Sequence, residues 1–177
     1  MQIKTIKVGE LQTNCFIVID ESTKDAVVID PGDEAGKILA ELKGLKVKKL
    51  IITHGHYDHV GAVKELKKRL RADVLMHPDD AWLFQPDVFV NDGDEINFGN
   101  LALKAIHTPG HTPGGICLYL DGHLFSGDTL FAGTYGRTDL PGGSEGLMAQ
   151  SLKKLAKLPP STKVYPGHGG QTTIGDA

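Results

Sequence analysis

Four apolar, strand-like runs of this chain each end in a loop that is rich in glycine or proline and carries histidine or aspartate. These loops are residues 53–59, 108–114, 126–129 and 166–170. Glycine and proline allow tight turns and a close approach of the backbone to a ligand. Loops at strand ends are also where a rigid sheet presents its functional groups. The pattern predicts a mixed α/β fold with its chemistry on these loops.

The first of these loops, Thr53–His59, concentrates metal-binding side chains in a short stretch. His54 and His56 alternate along the chain, so in an extended loop both rings can lean to one side and bind one ion. Asp58 and His59 are adjacent at the start of a helical pattern, point elsewhere and can serve a second ion. Imidazole and carboxylate together suit zinc, iron or manganese, and the lack of cysteine ligands argues against a closed structural zinc site.

The remaining loops supply enough further groups for two sites. Three nitrogens for one ion are offered by His54, His56 and His111. A carboxylate and two nitrogens for a second ion are offered by Asp58, His59 and His168. Asp128 is left over and could bridge the two ions, as in paired-metal hydrolytic sites. The alternative, a satisfied polar residue in a loop, is reasonable for any one of these histidines alone but explains the whole ordered set poorly.

The order of these motifs resembles that of the metallo-β-lactamase-fold hydrolases and, among them, is most similar to the hydroxyacylglutathione hydrolases, or glyoxalase II. The likeness runs from Asn14 through Thr173 and includes the turn Val28–Gly32; residues 136–143 are similar to a bacterial glyoxalase II-like subgroup. The resemblance implies an αββα sandwich of two mixed β-sheets flanked by helices. Glyoxalase II proper also has a C-terminal helical domain, which this sequence does not contain, and we expect one domain over residues 1–177.

The resemblance also implies a function. We expect two divalent transition-metal ions, with zinc favoured over iron or manganese, and hydrolysis of a thioester such as a hydroxyacylglutathione by a metal-bridging hydroxide. Asp58 or Asp128 would orient the proton of this hydroxide. Arg137 matches by position a cation that contacts glutathione, although a structural ion pair is an equal alternative. Tyr57 and Tyr135 lie in loops near the expected rim of the site, and we expect them to contact substrate.

Two other functions remain open at this point. One is a persulfide dioxygenase of the same fold, which uses a single iron held by two histidines and an aspartate. The other is a metal-binding protein without catalysis. The number of metal ions per chain separates the hydrolase from the dioxygenase, and turnover of any thioester separates it from the binding protein.

Composition excludes some partners and predicts a location. A net charge of −3 gives no general attraction to nucleic acid. The basic run of residues 64–71 has apolar residues at helical spacing, so we interpret it as an amphipathic helix rather than a phosphate-binding patch. Cys15 and Cys117 lie in apolar runs and are expected to be buried thiols. The N-terminus lacks a signal-peptide core and no window reaches membrane-spanning length, so we expect a cytoplasmic monomer or homodimer.

Hydrophobic periodicity gives a coarse map of the elements. We expect helices near residues 34–44, 60–71 and 145–157. We expect strands near residues 2–8, 14–20, 26–30, 48–53, 73–77, 95–98, 101–106, 115–120, 122–126 and 163–165. Asp121-Gly122 predicts a tight hairpin. Residues 78–94 are irregular and either pack on the body or form a lid, whereas His77, His107 and His123 do not fit the ligand pattern and are expected at the surface or behind the ligands.

Overall fold

The structure, a computed structural model, describes residues 1–177 as fourteen strands, four α-helices and one 3-10 turn. The helices are α1 Ala35–Glu41, α2 Tyr57–Val60, α3 Val63–Leu70 and α4 Glu145–Leu155, and the 3-10 turn is Pro78–Asp80. The strands of the first half are β1 Gln2–Val8, β2 Thr13–Ile19, β3 Asp25–Ile29, β4 Lys46–Ile51, β5 Asp73–Met76, β6 Val88–Phe89 and β7 Glu95–Phe98. Those of the second half are β8 Leu101–His107, β9 Ile116–Leu120, β10 His123–Gly127, β11 Leu130–Phe131, β12 Thr134–Tyr135, β13 Lys163–Pro166 and β14 Thr172–Thr173.

Twelve of these strands form two six-stranded mixed sheets. The first sheet has the order β1-β2-β3-β4-β5-β6, with antiparallel pairs from β1 to β3 and parallel pairs from β3 to β6. The second sheet has the order β14-β13-β10-β9-β8-β7, in which only β10 and β13 are parallel. The predicted fold class, two mixed sheets with helices outside, is therefore confirmed.

Alternation along the strands divides the core into layers. In β2, Phe16 and Val18 face the second sheet, whereas Cys15, Ile17 and Ile19 pack with the helices that cover the first sheet. A smaller cluster on the outer face of the second sheet joins its strands to α4 and contains Cys117, Leu124, Leu155 and Val164. Both cysteines are buried free thiols, as predicted, and burial raises the pKa of Cys117 to about 11.

The predicted helix near residues 60–71 is wrong in one respect, because the structure divides it into α2 and α3. The break falls at Gly61 and Ala62, where the Ala62 backbone N–H donates to the Pro31 carbonyl at 3.0 Å. A side chain at Gly61 would collide with the Gly32 carbonyl. Close packing on the turn that precedes α1 thus ends the first helix. In α3 the basic side chains face solvent while Val63 and Leu66 are buried, as the amphipathic pattern predicted.

The other elements lie close to their predicted positions, and the tight hairpin at Asp121-Gly122 is confirmed, with φ of 45° and 77°. Four two-residue strands, β6, β11, β12 and β14, were not predicted, because a pair of residues carries no periodicity. No helix of the structure combines the length and the apolar character that crossing a membrane requires.

Candidate metal centre

Strand ends from both sheets bring the candidate ligands to one edge of the sandwich. His54 and His56 follow β4 of the first sheet, and α2, which begins directly after His56, carries Asp58 and His59. The loops that carry the other three ligands belong to the second sheet, with His111 between β8 and β9, Asp128 just after β10 and His168 just after β13. The four Gly/Pro-rich loops thus meet although they are far apart in sequence.

His54, His56 and His111, here called the first cluster, have their ring nitrogens within 4.8 Å of one another. The Nδ1 atom of His56 lies 3.1 Å from Nε2 of His111. Burial, together with the nearby His59, holds the pKa of His54 well below its usual value, and burial also lowers the pKa of His56. Neutral imidazoles at neutral pH present the free lone pairs that a metal ion requires.

Asp58, His59 and His168 are here called the second cluster. One ligand atom of each of them and of Asp128 lies within 4.8 Å of the others. Oδ2 of Asp58 is 3.0 Å from Nε2 of His168 and 3.3 Å from Nε2 of His59. Burial opposes ionisation of Asp58, but its close contacts with His168 and His59 prevail and keep its pKa well below the usual range. Hydrogen bonds to Asp128 and Asp58 raise the pKa of His168 to about 9.

Asp128 joins the two clusters. Its Oδ2 atom lies 3.4 Å from His111 Nε2 in the first cluster and 3.5 Å from His168 Nε2 in the second, while Oδ1 is 3.4 Å from His59 Nε2. The carboxylate is almost fully buried; burial alone would raise its pKa, but the histidines, foremost His59 and His54, hold it well below the usual range. One ionised carboxylate therefore faces both sets of ligands, at the position that the sequence assigned to the bridge.

Several buried polar atoms at this centre have no hydrogen-bond partner. They are Nε2 of His54, Nε2 of His59 and Oδ1 of Asp128. Buried polar atoms in folded proteins are nearly always paired, so three orphaned atoms within the two clusters and their bridge indicate missing electrophilic partners. A donor set of five imidazoles and two carboxylates in two groups fits a pair of divalent transition-metal ions.

Three polar residues that we did not predict as site residues support the second cluster. His59 Nδ1 lies 2.8 Å from the carboxylate of Asp30, which together with Asp128 outweighs burial and raises the pKa of His59 well above its usual value. Thr13 donates to Asp58 at 3.1 Å, and Asn14 donates to the carbonyls that flank His168 in sequence, at 2.9 and 3.0 Å. Asp30 lies in the turn Val28–Gly32, which carries part of the family resemblance. Its role depends on the contact with His59, a residue distant in sequence.

Two of the three side chains expected at the rim have partners of their own. Tyr57 is 75% exposed beside the second cluster, and the Tyr135 hydroxyl donates to Glu145 at 2.8 Å. Arg137 forms a two-point ion pair with Asp139, with contacts of 2.7 and 2.8 Å, so the structure contains the ion pair that we kept as the alternative. The Arg137 carbonyl also lies 2.8 Å from Nδ1 of His111 and supports that ligand.

The spare histidines lie outside both clusters. His77 and His107 stack in parallel with their ring centroids 4.0 Å apart, near Asp79. Parallel stacked rings direct their lone pairs side by side rather than toward a common point, which disfavours a shared ion. His107 Nε2 is 2.9 Å from the Pro113 carbonyl, and His123 Nδ1 is 2.9 Å from the Asp121 carbonyl.

The irregular segment 78–94 lies beside the first cluster. Asp80 is fully buried and Phe84 packs against the core of the first sheet, whereas Trp82 and Phe89 are about half exposed. The segment therefore has anchored and exposed parts, and its action as a lid stays a prediction.

Comparison with known proteins places this arrangement in a family. Residues 8–168 match the metallo-beta-lactamase superfamily. The hydroxyacylglutathione hydrolase GloC of Haemophilus influenzae is 34% identical, over 99% of this chain and 94% of that protein.

Solved structures agree over nearly the whole chain. ETHE1 from Myxococcus xanthus has a TM-score of 0.93 at 33% identity, covering 99% of this chain and 80% of that one. The BLEG-1 B3 metallo-beta-lactamase has a TM-score of 0.92 at 32% identity, covering 99% and 95%. TTHA1623 in a di-iron-bound form has a TM-score of 0.86 at 38% identity, covering 97% and 95%. Fold, ligand order and these matches together establish that the chain belongs to the metallo-beta-lactamase superfamily.

Proposed function

We propose that this chain is a dinuclear metal-dependent hydrolase that cleaves a thioester, with a hydroxyacylglutathione or a related acyl thiol as its substrate. The observation that carries the proposal is the position of Asp128, one ionised carboxylate within 3.5 Å of a histidine of each cluster. A single-ion site would need no residue that faces both. The similarity to a hydroxyacylglutathione hydrolase and to a protein solved with two irons supports the same assignment.

The two clusters divide the ligands of the two ions. His54 Nε2, His56 Nδ1 and His111 Nε2 would hold one ion, and Asp58 Oδ2, His59 Nε2 and His168 Nε2 the other. When bound, two divalent ions supply a Lewis acid for the carbonyl oxygen and lower the pKa of water toward neutrality. Zinc is favoured by this donor set, with iron or manganese as alternatives.

The chain itself contributes charge and orientation. Asp58 and Asp128 supply only two negative charges, so a pair of divalent ions leaves net positive charge for a developing oxyanion. Asp58 is the more exposed of the two carboxylates and receives a hydrogen bond from Thr13, which orients it to accept a proton at the edge of the centre. We assign proton acceptance to Asp58 and ion bridging to Asp128.

The side chains around the centre suit a thioester. A thiolate with a pKa of about 8.5 departs with little protonation, so the reaction does not depend on a general acid. This matters because the Tyr135 hydroxyl already donates its hydrogen bond to Glu145. Arg137 and Tyr57 are the rim groups that we propose for the polar part of the substrate. To bind a carboxylate of glutathione, Arg137 would release Asp139, its exposed ion-pair partner, and pair with the substrate carboxylate instead.

The test combines metal counting with hydrolysis. We expect close to two transition-metal ions per chain under metal-replete conditions and hydrolysis of S-lactoylglutathione that disappears on chelation and returns with metal. Other acyl thiols and a β-lactam serve as comparison substrates. One iron per chain together with oxygen consumption on a persulfide would replace the hydrolase with the dioxygenase. Two bound ions without turnover of any thioester would refute the substrate assignment.

A further inference from the structure

Asp80 is a fully buried carboxylate that lies behind the first cluster and forms no hydrogen bond with its rings. One oxygen, Oδ2, accepts hydrogen bonds from the Gly55 backbone N–H at 2.9 Å and from the Thr112 hydroxyl at 2.8 Å. The other, Oδ1, accepts from the Gly114 backbone N–H at 2.6 Å. Gly55 separates His54 from His56, and Thr112 follows His111. One carboxylate thus connects the two loops that carry the first cluster.

The backbone of Asp80 is itself held in place. Asp80 ends the 3-10 turn Pro78–Asp80 after β5, and its N–H donates to the His77 carbonyl at 3.2 Å. Its own carbonyl accepts from the Leu83 N–H at 2.8 Å. Since β5 is the parallel neighbour of β4, this turn lies next to the loop that begins at Thr53. A short rigid turn therefore aims the carboxylate between the two histidine loops.

Packing shows how closely this turn fits both loops. A Cβ atom on Gly114 would lie 2.5 Å from the Asp80 backbone nitrogen, and one on Gly55 would lie 2.7 Å from Cβ of Leu83. Only glycine permits these approaches. The close approach of residues 80–83 therefore explains why Gly55 and Gly114 are glycines.

The second cluster has supports other than Asp80. Asp30 contacts His59, Thr13 contacts Asp58, and Asn14 fixes the loop of His168. None of these residues contacts Asp80 through a hydrogen bond. Asp30 also accepts hydrogen bonds from Thr53, whose hydroxyl lies 3.1 Å from His54 Nδ1, so Asp30 touches both halves of the centre. Asp80, in contrast, accepts hydrogen bonds only from the two loops of the first cluster.

We propose that Asp80 is a positioning residue for the first cluster, which sets the separation of the His54–His56 pair from His111 and so the affinity of the first ion. The proposal rests on the proposed dinuclear function. A carboxylate suits this position because all three neighbours are donors and it offers only acceptors. In Asp80→Asn, the amide oxygen can take the place of Oδ2, but the NH2 group then faces the Gly114 N–H. Two donors then face each other, and the hydrogen bond to Gly114 is lost.

The experiment measures the affinity of each half separately, with cobalt(II) as the probe. A His168→Ala background leaves the first cluster as the stronger site, and a His56→Ala background leaves the second. In the first background, Asp80→Asn is expected to weaken cobalt binding about 10- to 100-fold, as loss of a group behind metal ligands usually does. In the second background, the affinity should stay within about threefold. The visible spectrum of bound cobalt should change only in the first background.

A matched control comes from Asp20, a buried carboxylate that also accepts three hydrogen bonds, from the Asn100 N–H and from the N–H and hydroxyl of Ser22. It lies at the opposite end of β2 from the centre, and Asp20→Asn should leave cobalt affinity unchanged in both backgrounds. If Asp80→Asn does not fold, Thr112→Val removes one of the three donors and should weaken the first site alone, by a smaller factor.

The outcomes separate this proposal from the function on which it rests. Two ions in the wild type with selective weakening of the first site support the proposal. Two ions in the wild type with equal weakening of both sites, or of neither, overturn the role of Asp80 while the proposed function stands. A wild type that binds fewer than two ions overturns both.

Discussion

Asp128→Asn tests the dinuclear centre most directly, because it removes a charge while it keeps the shape of the side chain. The carboxylate lies between 3.4 and 3.7 Å from ring nitrogens of His54, His59, His111 and His168. No other acidic side chain faces both clusters at such distances. Both ions should therefore bind more weakly in this variant.

The expected size follows from the role of the group. Preorganised charges at a reacting centre are worth about 10²–10³ in turnover, or roughly 2.7–4 kcal/mol. Loss of a shared ligand should weaken both ions in addition, so we expect at least a 100-fold loss of thioester turnover and less than full occupancy of either site. Turnover of S-lactoylglutathione and elemental analysis of the same sample measure the two effects.

Asp58→Asn is the informative comparison, because Asp58 contacts His59 and His168 of the second cluster only. It should release one ion and retain the other, whereas Asp128→Asn should weaken both. Asp121→Asn makes the same chemical change in an exposed hairpin turn and should behave as the wild type. Equal metal loss in Asp58→Asn and Asp128→Asn, or near-normal turnover of Asp128→Asn, would refute the bridging role.

Three further predictions concern the rim, the control carboxylate and the protons of the centre. Arg137→Ala should raise the Michaelis constant for a glutathione thioester about 10- to 150-fold with little change in turnover number, whereas Asp139→Ala should lower it; a fall in turnover alone would assign Arg137 a structural role. The Asn100 N–H and Ser22 hydroxyl lower the pKa of Asp20 to about 2 from 3.8, so its stabilising effect is present above about pH 4 and is lost as the pH falls toward 2; urea unfolding should show Asp20→Asn less stable than the wild type at about pH 7 but not near pH 2, and a constant difference would contradict this. Since the pKa of His168 is about 9 without metal, cobalt binding at about pH 7.5 should release a proton; calorimetry in buffers of different ionisation enthalpy would detect it, and buffer-independent heats would exclude it.

The clustering of the candidate ligands could be predicted from the sequence because their signals are local. Thr53–His59 places four of them within one loop, and the other three stand in short glycine-containing motifs that follow apolar strands. Strand alternation in β2 similarly predicts which residues face each layer. The fold class depended on the resemblance, since periodicity alone indicates only a mixture of strands and helices.

The division of the helix after Thr53–His59 could not be predicted in the same way. Val60 to Leu70 reads as one amphipathic pattern, yet the Ala62 N–H bonds to Pro31 and ends α2. The choice is made by a contact with another part of the chain. The role of Arg137 could not be predicted for a similar reason. Its position in the sequence is compatible both with substrate binding and with the ion pair to Asp139 that the structure contains.

The residues behind the ligands were missed for the same reason, and their positions explain how loops can form a rigid site. Asp30 reaches His59 across 29 residues, and Asp80 reaches Gly55 and Gly114 across 25 and 34. A loop alone would lose conformational freedom whenever an ion binds, which would reduce affinity. Buried carboxylates that accept hydrogen bonds from the loop backbone, or from a ligand's second nitrogen, restrict the loops during folding. Part of the entropy cost of assembling the centre is thus met before any ion arrives, and this is why changes at residues that touch no ion should still alter metal affinity.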